Sequence, residues 1–182
     1  TVANWSEWQI ARDARVPYVR PLSTRLRRSK MIYSDFPDVF HADFKRDAQE
    51  YGEQLRDTLD DPALIGYFLM NEPTWGFSRE APAAGMLFNT PACETRQELA
   101  RFLGKKYGGS AALAKAWNIQ ATLEEIAEGP WSRRLTPEAV KDLTGFSAVM
   151  VTLFFSSLSE GCKAVDPNHL NLGIRYQGVP PD

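Results

Sequence analysis

The chemistry in this chain concentrates where a short hydrophobic run stops. Leu64-Ile-Gly-Tyr-Phe-Leu-Met70 is followed at once by Asn71-Glu72-Pro73-Thr74-Trp75. A run this short, entered from Asp61-Pro62, predicts a strand buried on both faces. A carboxylate at the mouth of such a strand is costly to bury. Burial would raise its proton affinity toward the range in which it can donate at neutral pH. Active sites of parallel α/β folds lie at these C-terminal strand ends. The plainer alternative is that Asn71 and Glu72 open a loop and face water. The strand context and the aromatic Trp75 favour the functional reading over it.

The other reactive residue types are scattered. Cys93 and Cys162 lie far apart, match no metal-ligand spacing, and are compatible with a disulfide or with two thiols. His41 and His169 are isolated as well, so neither a metal nor a cofactor is expected. A formal net charge of -2 over 182 residues gives no general attraction to nucleic acid or anionic lipid. The basic cluster Arg25-Leu-Arg27-Arg28-Ser-Lys30 has no interleaved aromatics and no glycine-rich phosphate cradle. It reads as a solvated loop that could border an anionic ligand. The most apolar stretch, Phe146 to Leu158, is interrupted by Ser147, Thr152, Ser156 and Ser157. It falls short of the ~20 residues a membrane span needs, so a core helix is expected. Hydrophobic and charged contents of 43% and 24% are those of an ordinary globular domain, and the length suits a single unit over residues 1–182. No signal peptide opens the chain, and Thr1-Val-Ala-Asn-Trp5 reads as a start partway through a domain.

Extended and helical patterns alternate along the chain, the signature of an α/β fold with parallel strands. Ser6 is placed to cap a short helix running to Arg15. Val16 to Leu22 reads as a strand, and residues 23 to 40 as a long loop. Phe44, Ala48, Tyr51, Leu55 and Leu59 recur at helical spacing, with Asp47, Glu50, Glu53 and Arg56 off the stripe. Asp60-Asp61-Pro62 stops that helix and the Leu64 strand follows, completing a strand–helix–strand crossover. Residues 73 to 93 carry Gly76, Pro82, Gly85 and Pro91 and read as a second long loop. Thr95-Arg-Gln-Glu98 and Thr122-Leu-Glu-Glu125 are capping-box patterns. A short helix covers Ser110 to Trp117. Thr136-Pro137-Glu138 starts the longest helix, which closes at Asp166-Pro167. Leu170 to Tyr176 is the last strand.

The Asn71-Glu72 pair on a buried strand end resembles the acid/base motif of the clan-A retaining glycoside hydrolases, which are (β/α)8 TIM barrels. The likeness extends to Ala3-Asn4-Trp5-Ser6, Pro17-Tyr18, Asp38-Val-Phe40, Ile65-Gly-Tyr-Phe68, Tyr107-Gly108, Ala116-Trp117 and Asp166-Pro-Asn-His-Leu-Asn-Leu-Gly173, in order along nearly the whole chain. The series is similar to the β-agarase and β-galactosidase branch, the agarase-like members most of all. The resemblance implies the central part of a barrel, strands two to five with their helices, incomplete at both ends. Strand two would be Thr1 to Trp5, strand three Val16 to Arg20, strand four Leu64 to Met70 and strand five Leu170 to Tyr176. A full barrel takes about 250 residues. The chain departs from agarase-like relatives at Met70, where they commonly carry aspartate, and at Pro73, which is more usual in other clan-A branches.

By this resemblance Glu72 is the general acid/base and Asn71 the amide that binds a sugar hydroxyl beside the reacting carbon. Asn71 could instead tie down its own loop. Trp75, Asn4 and Trp5 are expected to contact sugar, the tryptophans through their flat faces, although both could pack against barrel-end loops. Arg20, Arg175 and Tyr176 close the third and fifth strands and point to the same mouth, where they can bind hydroxyls or orient a carboxylate; for Arg175 a salt bridge to a neighbouring strand end is the alternative. The clan's nucleophile is a glutamate on strand seven, to which nothing here corresponds; Glu80, Glu94 and Glu98 are poor substitutes. The implied function is hydrolysis of β-glycosidic bonds in galactose-containing poly- or oligosaccharides, with carbohydrate as partner and a secreted or periplasmic location suited to it. Non-hydrolytic sugar binding, or an inactive barrel fragment whose sheet edges are covered by self-association or by the rest of a barrel, are the alternatives.

Overall fold

In the computed structural model the structure describes residues 6–176. Chain order is α1 (Trp8–Asp13), β1 (Tyr18–Pro21), β2 (Met31–Tyr33), β3 (Phe36–Pro37), α2 (Ala42–Tyr51), β4 (Leu64–Phe68), β5 (Met70–Asn71), α3 (Pro82–Asn89), α4 (Glu94–Tyr107), α5 (Ser110–Trp117), α6 (Leu123–Ala127), α7 (Pro137–Val165), β6 (Leu170–Asn171) and β7 (Ile174–Arg175). Two 3-10 helices, Gly52–Thr58 and Thr74–Phe77, extend α2 and follow β5. The fold is mixed α/β. The strand called Thr1 to Trp5 lies outside the described residues.

The main sheet is parallel with order β1-β4-β6, so strands that neighbour in space are those separated in sequence by helices. Strands β4 and β6 break after five and two residues and resume. The Leu69 N–H donates to Gly173 O at 2.7 Å, and β5 then pairs in parallel with β7, Asn71 opposite Arg175. Gly173 makes this kink: its φ is +73°, and its N–H donates to Asn171 Oδ1 at 2.9 Å. The chain therefore carries Glu72 and Arg175 off the sheet together.

Helices cover one sheet face. Arg20 reaches Asp57 and Thr58, and Asn171 donates to Ser159 on α7, so the cross-strand row Arg20, Tyr67 and Asn171 looks toward the helices. The opposite face presents Phe68 and Leu172, both half-exposed, and Leu170, 58% exposed. Between helices and sheet lies a core of Phe36, Phe44, Tyr67, Leu69, Trp75, Phe146, Met150 and Phe154. The α7 stripe Ala139, Leu143, Phe146, Met150, Phe154, Leu158 and Cys162 is buried at helical spacing, as a core helix requires, while Val140 and Val149 face out. Helix α7 is long and apolar enough, by length and composition alone, to cross a membrane.

Several local expectations need correction. Ser6 is not a cap: Glu7 occupies that position and α1 has no side-chain cap. Residues 23 to 40 hold the β2–β3 hairpin, and residues 73 to 93 hold α3, with Pro82 at its start, where a missing N–H costs nothing. The capping box at Thr122 and Glu125 forms, but the one at Thr95 and Glu98 does not. Thr95 lies inside α4, and the Asp38 carboxylate takes the N–H groups of Glu94 and Thr95 from a distant loop. Asp47, placed off the α2 stripe, is buried, because it accepts from the Arg28 and Ser29 N–H groups and from Ser29 Oγ. Arg28 also forks onto Glu50, so part of the basic cluster is tied down rather than free in solvent. Both cysteines are thiols, and burial pushes Cys93 up to about 11 and Cys162 up to about 12.

Candidate active site

Glu72 sits where β5 ends, one residue beyond the last rung of its pairing with β7. Its φ of +47° is a left-handed conformation that a side-chain-bearing residue adopts only when its surroundings hold it there. Here the Glu72 N–H donates to Arg175 O at 2.9 Å. The Arg175 guanidinium in turn donates to Glu72 Oε1 at 2.5 Å and to Asn71 Oδ1 at 3.2 Å. One cation thus gathers the amide and the carboxylate into one cluster and sets the direction of the carboxyl. The side chains stay partly open, 20% exposed for Glu72 and 31% for Arg175.

The segment after Glu72 is held by the β2–β3 hairpin. Asp35, in the hairpin turn, accepts the N–H groups of Thr74 and Trp75, each at 2.9 Å. The Ser34 and Thr74 hydroxyls bond at 2.7 Å, and Tyr33 Oη donates to Glu80 at 2.9 Å. Gly85 of α3 lies flat on the Tyr33 ring, where a Cβ would collide. Tyr176 closes the other side. Its ring covers Gly76, so that a Cβ there would lie 2.6 Å from Tyr176 Cε1, and it meets Phe77 edge to face at 5.8 Å. Burial and the Asp35 charge both raise the Tyr176 phenol above its ordinary range.

The structure brings Glu72, Asn71, Arg175 and Tyr176 to one place and sends the other expected residues elsewhere. The Trp75 ring is 7% exposed and packs edge-on against Phe36 and Phe154, so its face is in the core and not at the mouth. Its Nε1 is buried without a partner among the described residues. Arg20 belongs to the middle of β1, where it pairs with Asp57 at 2.5 Å and lies over the Trp8 ring at 4.2 Å. That ties strand to helix instead of serving Glu72. Asn4 and Trp5 lie outside the described residues. Glu80 is occupied by Tyr33, and Glu98 pairs with Arg101 along α4. Among the described residues no cluster of His, Cys, Asp and Glu could hold a metal ion. Sequence reasoning missed Asp35 and Phe77. Asp35 has no sequence signal beyond being an acid in a turn; Phe77, two residues past Trp75, could have been weighed as the alternative aromatic.

No family model matches the chain. Curated relatives do. It is 24% identical over 199 residues to the β-agarase B of Vibrio sp. (strain JT0107) and 27% identical over 214 residues to β-agarase A of the same strain. Each match takes in all of this chain and 21% of the relative, so the chain spans about one fifth of the length of these proteins. Among solved structures it superposes on the agarase AgWH50C with a TM-score of 0.77 at 23% identity, over 99% of this chain and 28% of that one. An exo-β-agarase gives 0.77 at 24% over 96% and 26%, and PfGH50B gives 0.81 at 23% over 99% and 28%. Along its whole length, then, the chain is homologous to one part of the β-agarases and shares the α/β fold of the corresponding part of the agarase structures.

Proposed function

We propose that this chain is the central part of a (β/α)8 barrel, strands two to five, from a glycoside hydrolase that cleaves β-glycosidic bonds in agar-type galactose polysaccharides. Glu72 is the general acid/base of a retaining mechanism. One observation carries the reading: the Glu72 carboxyl is held by Arg175 where two parallel strands stop side by side, in a chain homologous throughout to β-agarases. In the first half-reaction Glu72 protonates the leaving glycosidic oxygen; in the second it takes a proton from the attacking water. Asn71 bonds a hydroxyl next to the anomeric carbon, a contact that tightens as charge develops there. Arg175 orients both side chains. The nucleophile, a carboxylate about 5–5.5 Å away in this geometry, comes from outside the described residues.

The test is Glu72→Gln in the full-length encoded protein, assayed on agar. Turnover should fall by about 10²- to 10⁴-fold, the usual worth of general acid–base catalysis, and least for substrates whose leaving group needs little protonation. Activity within a few-fold of wild type would overturn the assignment.

A second reading is a sugar-binding surface without hydrolysis. It is favoured by the engagement of Glu80 with Tyr33 and of Glu98 with Arg101, which leaves neither poised to attack. Release of reducing sugar by the purified 182-residue chain would exclude it.

A further inference from the structure

We infer that Phe77, braced by Tyr176, is the platform on which a galactosyl ring stacks beside Glu72; this deepens the reading above and rests on it. Phe77 is the last residue of the 3-10 helix that follows Glu72, yet it is 50% exposed. It is not loose. The helix is closed by the Gly76 N–H to Pro73 O at 3.0 Å, and both its first amides are taken by Asp35. Tyr176 stands edge to face with Phe77 at an interplanar angle of 75°, which fixes the ring orientation. This close approach requires Gly76, because any side chain there would enter the Tyr176 ring. An ordered, half-exposed aromatic costs apolar surface in water unless something covers it.

Its location says what that is. Phe77 follows Glu72 by five positions, and Tyr176 directly follows Arg175, the residue that grips the Glu72 carboxyl. The pair therefore flanks the cluster from both strands. Galactose is suited to such a surface. Its axial 4-hydroxyl leaves the C–H bonds of C3, C4 and C5 together on one ring face, which lies flat on an aromatic π-surface. Trp75, the neighbour that sequence reasoning favoured, is turned into the core.

The test uses the full-length encoded protein carrying Glu72→Gln to stop turnover, titrated calorimetrically with a neutral agar-derived oligosaccharide. Adding Phe77→Ala should raise Kd about tenfold, Phe77→Trp should restore or tighten binding, and Phe77→Leu, apolar but without a π-face, should not restore it. A thermal midpoint within a few degrees of the parent checks that the half-exposed site still folds. Unchanged affinity in Phe77→Ala, or full rescue by Phe77→Leu, would overturn the platform while leaving the hydrolase reading intact. Absence of oligosaccharide binding with Phe77 in place would overturn both.

Discussion

Two amide hydrogens decide how firmly Glu72 is held. Asp35 receives them from Thr74 and Trp75, and through them it pins the segment that emerges from a left-handed residue. Replacing Asp35 with Ala leaves both donors without their acceptor in a half-buried turn. A cost of about 1–3 kcal/mol is expected for such unmade bonds, visible as a lower urea midpoint with an unchanged slope. If the hydrolase reading holds, kcat should fall more than KM rises, because the acid is displaced rather than the sugar contacts. Asp35→Asn, which keeps one acceptor oxygen, should recover part of both losses. An Asp35→Ala protein with wild-type stability and kcat would show the clamp to be idle. At this scale the position of Glu72 and Asn71 at a strand end was legible, because their neighbours in the chain form that strand. The sequence was misleading about Trp75. A tryptophan four residues beyond a strand end could face either way, and only the arrival of Phe36 and Phe154 from elsewhere in the chain settles which.

At the scale of elements, the contact between α7 and the segment leaving α2 depends on two glycines. A Cβ on Gly161 would strike the Ala48 carbonyl oxygen, and one on Gly52 would strike that of Gly161. The two backbones touch, and neither atom in the way is a flexible side-chain tip. Gly161→Ala should therefore destabilise the fold by about 1–3 kcal/mol despite its better helix propensity. Gly145→Ala, on the same helix with open space around it, should stabilise by about 0.5–1 kcal/mol. Denaturant titration of the two variants checks the pair; equal effects would sink the close-contact explanation. Which elements the sequence disclosed follows the same logic. The Thr122–Glu125 box and the Thr136-Pro137 start of α7 were legible because their partners lie within one turn. The start of α4 was not, since its cap is Asp38, brought from the loop after β3. Helix α3 was hidden by Pro82 and Gly85, ordinary signs of a loop, which here serve as a helix start and as a seat for Tyr33. Arg96 is the extreme case. It is completely buried and donates to the carbonyls of Thr90, Pro91, Glu125, Ile126 and Gly129, and no local pattern announces a cation that staples the α3–α4 connection to α6 and the turn after it.

Across the whole molecule, the buried carboxylates Asp47, Asp142 and Asp166 set its acid sensitivity; the first two join distant segments, and Asp166 ties down the turn that follows α7. Burial pushes each upward, but hydrogen bonds outweigh it and hold Asp47, Asp142 and Asp166 below the usual carboxylate range. The donors are Ser29 and Arg28 for Asp47, Lys106, Trp117 and Tyr107 for Asp142, and His169 and Asn168 for Asp166. Groups with depressed folded values contribute stability that is complete above the unfolded value, about 3.9, and that is lost as pH falls through the folded value. The thermal midpoint should accordingly hold between pH 5 and 7, by about this argument, and drop steeply below about pH 4; Asp142→Asn should lower the plateau and flatten the acid limb.

The uncovered sheet face belongs to the same scale. Phe68, Leu170 and Leu172 lie on the side away from the helices, and strands β1 and β6 end the sheet with unpaired edges among the described residues. In a closed barrel that face is the packed interior and the edges do not exist. The 182-residue chain alone, at 20.5 kDa, has to bury this surface some other way. It should therefore elute above its monomer mass, with light scattering giving a dimer or larger species. Leu170→Glu, which charges the face at its β6 edge without touching the helix side, should return it to a monomer. A monodisperse 20.5 kDa monomer for the unsubstituted chain would mean that the face is tolerated in water, and the partial-barrel reading would lose its physical necessity.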